Sequence, residues 1–125
     1  MKKTTTVELV ALTEKVFGLV DVGDYDQLRG LMTEATAQVL TRGLVLDTWA
    51  QVVADSGNLV ACRGTGIELP DGTAVEPSEP VLGSVVGHTT LECEAGSWAG
   101  RVAFDPDRRV VGLLVVPPDH GELPF

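Results

Sequence analysis

The chain reads as an α+β domain. Three N-terminal helices pack on a strongly bent, mainly antiparallel sheet of about four strands, giving a cone-like shape. Three observations predict this. Helical periodicity fills the first half of the sequence, alternation of period two begins at Asn58, and turn clusters cut the second half into strand-length pieces. Helices followed by strands in this order pack as two layers around one core, and such a layout tends to enclose a pocket between the layers.

The first helix starts near Thr5, because Thr5 and Glu8 have the spacing of a capping box. Leu9, Val10, Leu12, Val16, Phe17, Leu19 and Val20 then gather on one side at about 100° per residue, with Glu8, Ala11, Glu14, Lys15 and Gly18 opposite. Gly23 supplies the left-handed backbone that ends such a helix. Asp24 or Asp26 caps a second, shorter helix carrying Leu28, Leu31 and Met32. Thr36 to Leu40 reads either as a helix tail or as a short edge strand. Thr41 caps a third helix with Val45, Leu46, Trp49, Val52 and Val53 on one face, and Gly57 stops it.

Leu59 to Leu69 reads as a strand in which Gly64 and Gly66 mark a bend or bulge. Pro70 to Thr73 is a turn and Glu76 to Pro80 a polar loop. A long strand is expected from Val81 to Glu94, with bends at Gly83 and Gly87. Turns at Ala95-Gly96 and Asp105–Arg108 deliver strands Ser97 to Phe104 and Val110 to Val116. Pro117-Pro118 ends the last strand, and an extended tail follows to Phe125. The last strand is apolar on both sides. Val110, Leu114 and Val116 fall on one face and Val111, Leu113 and Val115 on the other, as in a central strand or one whose outer face meets another subunit.

Composition excludes several classes of function. Eighteen acidic against nine basic residues give a net charge of −9, and two of the cations, Lys2 and Lys3, sit in the expected flexible start at residues 1–5. That balance repels phosphate backbones and anionic membrane surfaces, so neither nucleic acid nor membrane is expected as a partner. The length of 125 residues fits one domain spanning the whole chain. Met1-Lys2-Lys3 resembles the opening of a signal peptide, but Glu8, Thr13, Glu14 and Lys15 interrupt any apolar segment, and the expectation is a cytoplasmic protein. Cys62 and Cys93 both lie in strand-like runs, where buried free thiols are favoured over a bridge.

Gly23-Asp24-Tyr25-Asp26-Gln27-Leu28 matches the glycine, aspartate and leucine linker between the first two helices of the nuclear transport factor two-like superfamily, the cystatin-like α+β cone. Thr41 to Val53 with Trp49, Gly57, Val102-Ala103-Phe104-Asp105 and Val110-Val111-Gly112-Leu113 with Pro117 resemble an uncharacterised family within it, sometimes attached to α/β-hydrolases. The resemblance runs from about Val7 to Pro117. It implies the cone fold and carries over no catalytic residue.

No acid–base set, metal motif or phosphate loop emerges from the spacing. No metal and no cofactor is expected. Asp24-Tyr25-Asp26 reads as a helix cap with a packed ring, His88 as a mid-strand histidine of undecided direction, and His120 as a solvated tail residue. The residues taken as the candidate ligand-binding set are Phe17, Tyr25, Trp49, His88, Trp98 and Phe104, aromatic or polar groups able to line a cone. The leading reading is a non-catalytic accessory or small-molecule-binding module that pairs as a homodimer through the sheet face and holds a small apolar ligand. The alternative is a small-pocket enzyme of isomerase, cyclase or hydrolase type using His88, Tyr25 or Arg101.

Overall fold

The computed structural model describes residues 4–75, 80–81 and 83–118. Four helices, α1 (Thr6–Val22), α2 (Tyr25–Leu31), α3 (Glu34–Val39) and α4 (Arg42–Ser56), precede the main sheet. That sheet is antiparallel throughout, in the order β2 (Leu59–Glu68), β4 (Val85–Cys93), β5 (Gly96–Phe104), β6 (Val110–Val116). A two-residue strand β1 (Thr4–Thr5) pairs with β3 (Pro80–Val81). Thr4 and Thr5 are thus built into the fold where a flexible start was expected. The expectations for residues 1–3, the loop at 76–79, Leu82 and the tail from Asp119, His120 included, lie outside the described residues.

Each helix begins as its sequence dictates. Thr5 accepts from the Glu8 N–H, Asp24 from Gln27, Thr33 from Thr36 and Thr41 from Leu44, all at 3.2 or 3.3 Å. Such caps satisfy amides that have no partner inside the helix. Gly23, at φ 76°, closes α1 by donating to the Leu19 and Val20 carbonyls. The ambiguous segment at Thr36–Leu40 belongs to a fourth short helix, α3. Its independent cap at Thr33 separates it from α2, which is why a count of three from periodicity falls one short.

Residues Leu9, Thr13, Val16, Phe17 and Val20 of α1 are buried against the sheet. Thr13 is the position that apolar periodicity missed. Its hydroxyl donates to the Leu9 carbonyl at 2.8 Å, so a fully buried polar group is satisfied within its own helix. Beneath it lies Gly87, where an added Cβ would stand 2.0 Å from Thr13 Oγ1. One turn along α1, the Phe17 ring covers Gly100, where a Cβ would meet Cζ at 2.6 Å. Gly87 therefore serves close helix approach rather than the expected bend. The two glycines let α1 lie directly on the backbones of β4 and β5.

The sheet departs from plain alternation at three places. Register shifts occur at Leu59/Ala61 and Arg63/Gly66 on β2, and opposite Ala103/Phe104 on β6. The bulge at Arg63–Gly66, with Gly64 at φ 62°, agrees with the glycine signal. It is braced by Thr65, whose hydroxyl donates to Glu14 of α1 at 2.9 Å and lies 2.8 Å from the Thr89 hydroxyl. Cys62 and Cys93 are free thiols. Burial pushes the Cys62 thiol up, and the nearby Glu14 carboxylate adds to the shift.

The β6 bulge corrects the strand's expected phase. Val110 pairs with Phe104, both fully buried, whereas Leu113 pairs with Val102 and Val115 with Gly100. Opposed residues in an antiparallel ladder share a face. Val110 therefore shares the core face with Leu113 and Val115, and Leu114 and Val116 share the outer one. β6 is also an edge strand, not a central one, bridged beyond β5 only where Val110 meets Met32 among the described residues. No described helix is long and apolar enough to cross a membrane.

Candidate functional site

A cavity of about 210 Å³ opens where the end of α1, the start of α4 and the β6 edge converge. α1 contributes Phe17 and Val20. Leu44, Val45, Thr48 and Trp49 come from α4, where spacings of one and four place them on one stripe. Leu113, Leu114 and Val115 form the β6 wall, and Leu40 closes the space above. Thr48 is the one polar side chain among these residues.

The walls are fixed from behind. The ring of Phe17 is fully buried on Gly100. Trp49 is buried, and its indole Nε1 donates to Asp21 Oδ1 at 3.3 Å, which orients the ring and sets a carboxylate at its edge. Leu44 is half exposed and forms the lip. A second cavity, of about 330 Å³, continues along β6 between α3 (Ala35, Thr36, Val39) and Val111-Gly112. Leu40 and Leu113 line both cavities.

Of the six candidate residues, the structure brings together Phe17 and Trp49. Tyr25 is buried beside α3, where its hydroxyl donates to the Leu40 carbonyl at 2.5 Å and the Arg42 guanidinium lies 5.3 Å from its ring centroid. Trp98 donates through Nε1 to Ser56 Oγ at 2.9 Å, tying β5 to the end of α4. Phe104 is fully buried at the far end of the same strand, paired with Val85 and Val110. His88 stands on the outer sheet face, opposite Gly66 and Arg101. An added Cβ on Gly66 would lie 2.9 Å from its Nε2, so the ring packs over that glycine.

The groups named for an enzymatic alternative are likewise separated. Arg101 pairs with Glu68 on the outer face, both side chains largely shielded from water, while the Tyr25 hydroxyl is held by a backbone carbonyl. None of His88, Tyr25 and Arg101 lines either cavity. No three of His, Cys, Asp and Glu come together as a metal-binding group among the described residues.

No protein-family model, curated protein or solved structure matches this chain. The lining residues missed by sequence reasoning carried a signal nonetheless. Leu44–Thr48 and Val45–Trp49 are helical pairs four apart, and the two-sided apolarity of Val110–Val116 marks a strand with one face inside and more apolar surface than the core needs.

Proposed function

We propose that this chain is a non-catalytic binding module of the nuclear transport factor two-like kind, holding a small, uncharged, largely apolar ligand between α1, α4 and β6. The observation that supports it most directly is the 210 Å³ cavity lined by Phe17 and Trp49, with Thr48 as its single polar lining residue. Concave apolar space with a few orienting polar groups is the usual form of a small-molecule site. The lining offers no carboxylate, imidazole or thiol for proton transfer or nucleophilic attack.

The test reads Trp49 directly. Its indole N–H resonance, assigned through Trp98→Phe, is followed while a short neutral alcohol such as butanol is titrated. A saturable shift is expected. Leu44→Glu, which sets a charge on the half-exposed lip, weakens it at least tenfold. An unmoved Trp49 signal with butanol and with larger alcohols removes the reading.

Self-association through the outer sheet face completes the proposal. Leu114, Val116, Ala99 and Ala103 share that face by register. A self-complementary patch of this kind suits a two-fold dimer.

A further inference from the structure

The two cavities along β6 adjoin as two lobes. They share Leu40 and Leu113, one lobe ending at Thr48 and the other at Val39 and Val111. A single round ligand fills the first and leaves the second to water. We propose that the two lobes act as one groove holding one unbranched alkyl chain with an uncharged head, the chemistry of a medium-length fatty alcohol. Its head lies at Thr48, and its tail passes Leu40 and Leu113 to cover Val39 and Val111. This inference rests on the apolar-ligand reading above and specifies the ligand class for the same site.

Three observations argue for that occupant. The lining of both lobes carries no charged side chain. The polar residues are Thr48 in one lobe and Thr36 in the other, and the Thr36 hydroxyl already lies 2.7 Å from Thr33 Oγ1. Thr48 is therefore the hydroxyl that can serve a head group. Charge then selects the head. The Asp21 carboxylate sits against the Trp49 indole beside the first lobe, and the chain carries a net charge of −9, so a carboxylate or phosphate head meets repulsion where an alcohol does not. Finally, Val39 is 67% exposed and Val111 44% exposed. An alkyl tail laid between them removes from water apolar surface that the fold itself leaves open.

The experiment is an affinity series with butanol, hexanol, octanol and decanol below their aggregation limits, read at the Trp49 indole resonance. Each methylene that enters the groove is expected to tighten binding about fourfold. Val39→Asp, at an exposed site on α3, is expected to weaken decanol at least tenfold while leaving butanol unchanged. Decanoate is expected to bind at least tenfold more weakly than decanol. Saturable butanol binding with no gain beyond hexanol, or a Val39→Asp variant that treats decanol as wild type does, overturns the alkyl-chain inference and leaves the small-ligand reading standing. Decanoate binding as tightly as decanol overturns the uncharged head. Failure of every alcohol to move Trp49 overturns both readings.

Discussion

At Gly87 the absence of a single carbon decides how close α1 comes to the sheet. Gly87→Ala places a Cβ 2.0 Å from Thr13 Oγ1, and the clashing atom belongs to a β-branched, fully buried side chain with little freedom to rotate in a helix. The expected cost is about 2 kcal/mol of stability, in the range of overpacked cores. Thr13→Ala removes the obstructing hydroxyl. Combining it with Gly87→Ala is expected to recover about 1 kcal/mol relative to the sum of the single changes, a coupling that a denaturant-melt cycle measures. Purely additive costs would mean that the contact does not set the helix position. None of this was visible in the sequence, where Gly87 looked like a bend. A glycine reports conformational freedom or close approach with the same letter, and the partner that distinguishes them lies 74 positions away.

Among elements, α3 and β6 show what pattern reasoning reaches and where it stops. Caps and turns were legible because they are local. Thr5, Asp24, Thr41, Gly23 and Gly57 each act within one turn of themselves. The strand boundaries of β2, β5 and β6 were legible from alternation and turn residues. The start of β4 was not, because it begins at Val85, beyond the left-handed Gly83, while Pro80-Val81 pairs separately with Thr4-Thr5. Strand order was not legible either, since β6 reads as central or as a strand whose outer face meets another subunit, and it stands at the edge. Of the site, Phe17 and Trp49 were recoverable as aromatics on core faces. The aliphatic lining was legible only as apolar helix and strand positions, because which of them border a void depends on packing.

Arg109 ties these elements together. Its guanidinium donates to the Met32 carbonyl at 2.6 and 3.2 Å and to Gly30 at 3.2 Å, beside the Thr33 N–H that donates to Val110. It thereby holds the end of α2 against the start of β6. Arg109→Ala is expected to cost about 1–2 kcal/mol, with faster amide exchange confined to Met32–Leu40. Arg109→Lys should rescue only part of it, since an ammonium lacks the planar, preorganised fork of donors that the guanidinium presents. Unchanged exchange in α3 would show that the contact is decorative.

On the scale of the whole molecule, the two faces of the sheet are unequal partners. The inner face meets α1 through glycines, whereas the outer face combines the Arg101–Glu68 and Arg63–Glu92 pairs with Leu114 and Val116. Light scattering behind size exclusion is expected to return twice the chain mass at micromolar concentration. Val116→Lys, placing a charge on the outer face, should shift the species to monomer without lowering its helix content by circular dichroism. A wild-type monomer at that concentration removes the sheet-face dimer. The charge of −9 opposes association in general, but on the outer face the acids Glu68 and Glu92 are paired with Arg101 and Arg63.

The glycine track under α1 also decides which wall of the cavity is rigid. Phe17 is pinned on the β5 backbone with no room to sink, so the floor behaves as an anvil. The opposite wall is built differently. It consists of Leu40, at the end of the six-residue α3, and the half-exposed Leu44 at the start of α4, beside Val45, Thr48 and Trp49. Any guest larger than the resting space must therefore lift the roof, and the displacement is channelled into α3 and the first turn of α4. The Tyr25 hydroxyl bonded to the Leu40 carbonyl would then be the latch on that roof, and a guest in the proposed groove would be registered at a tyrosine that does not line it.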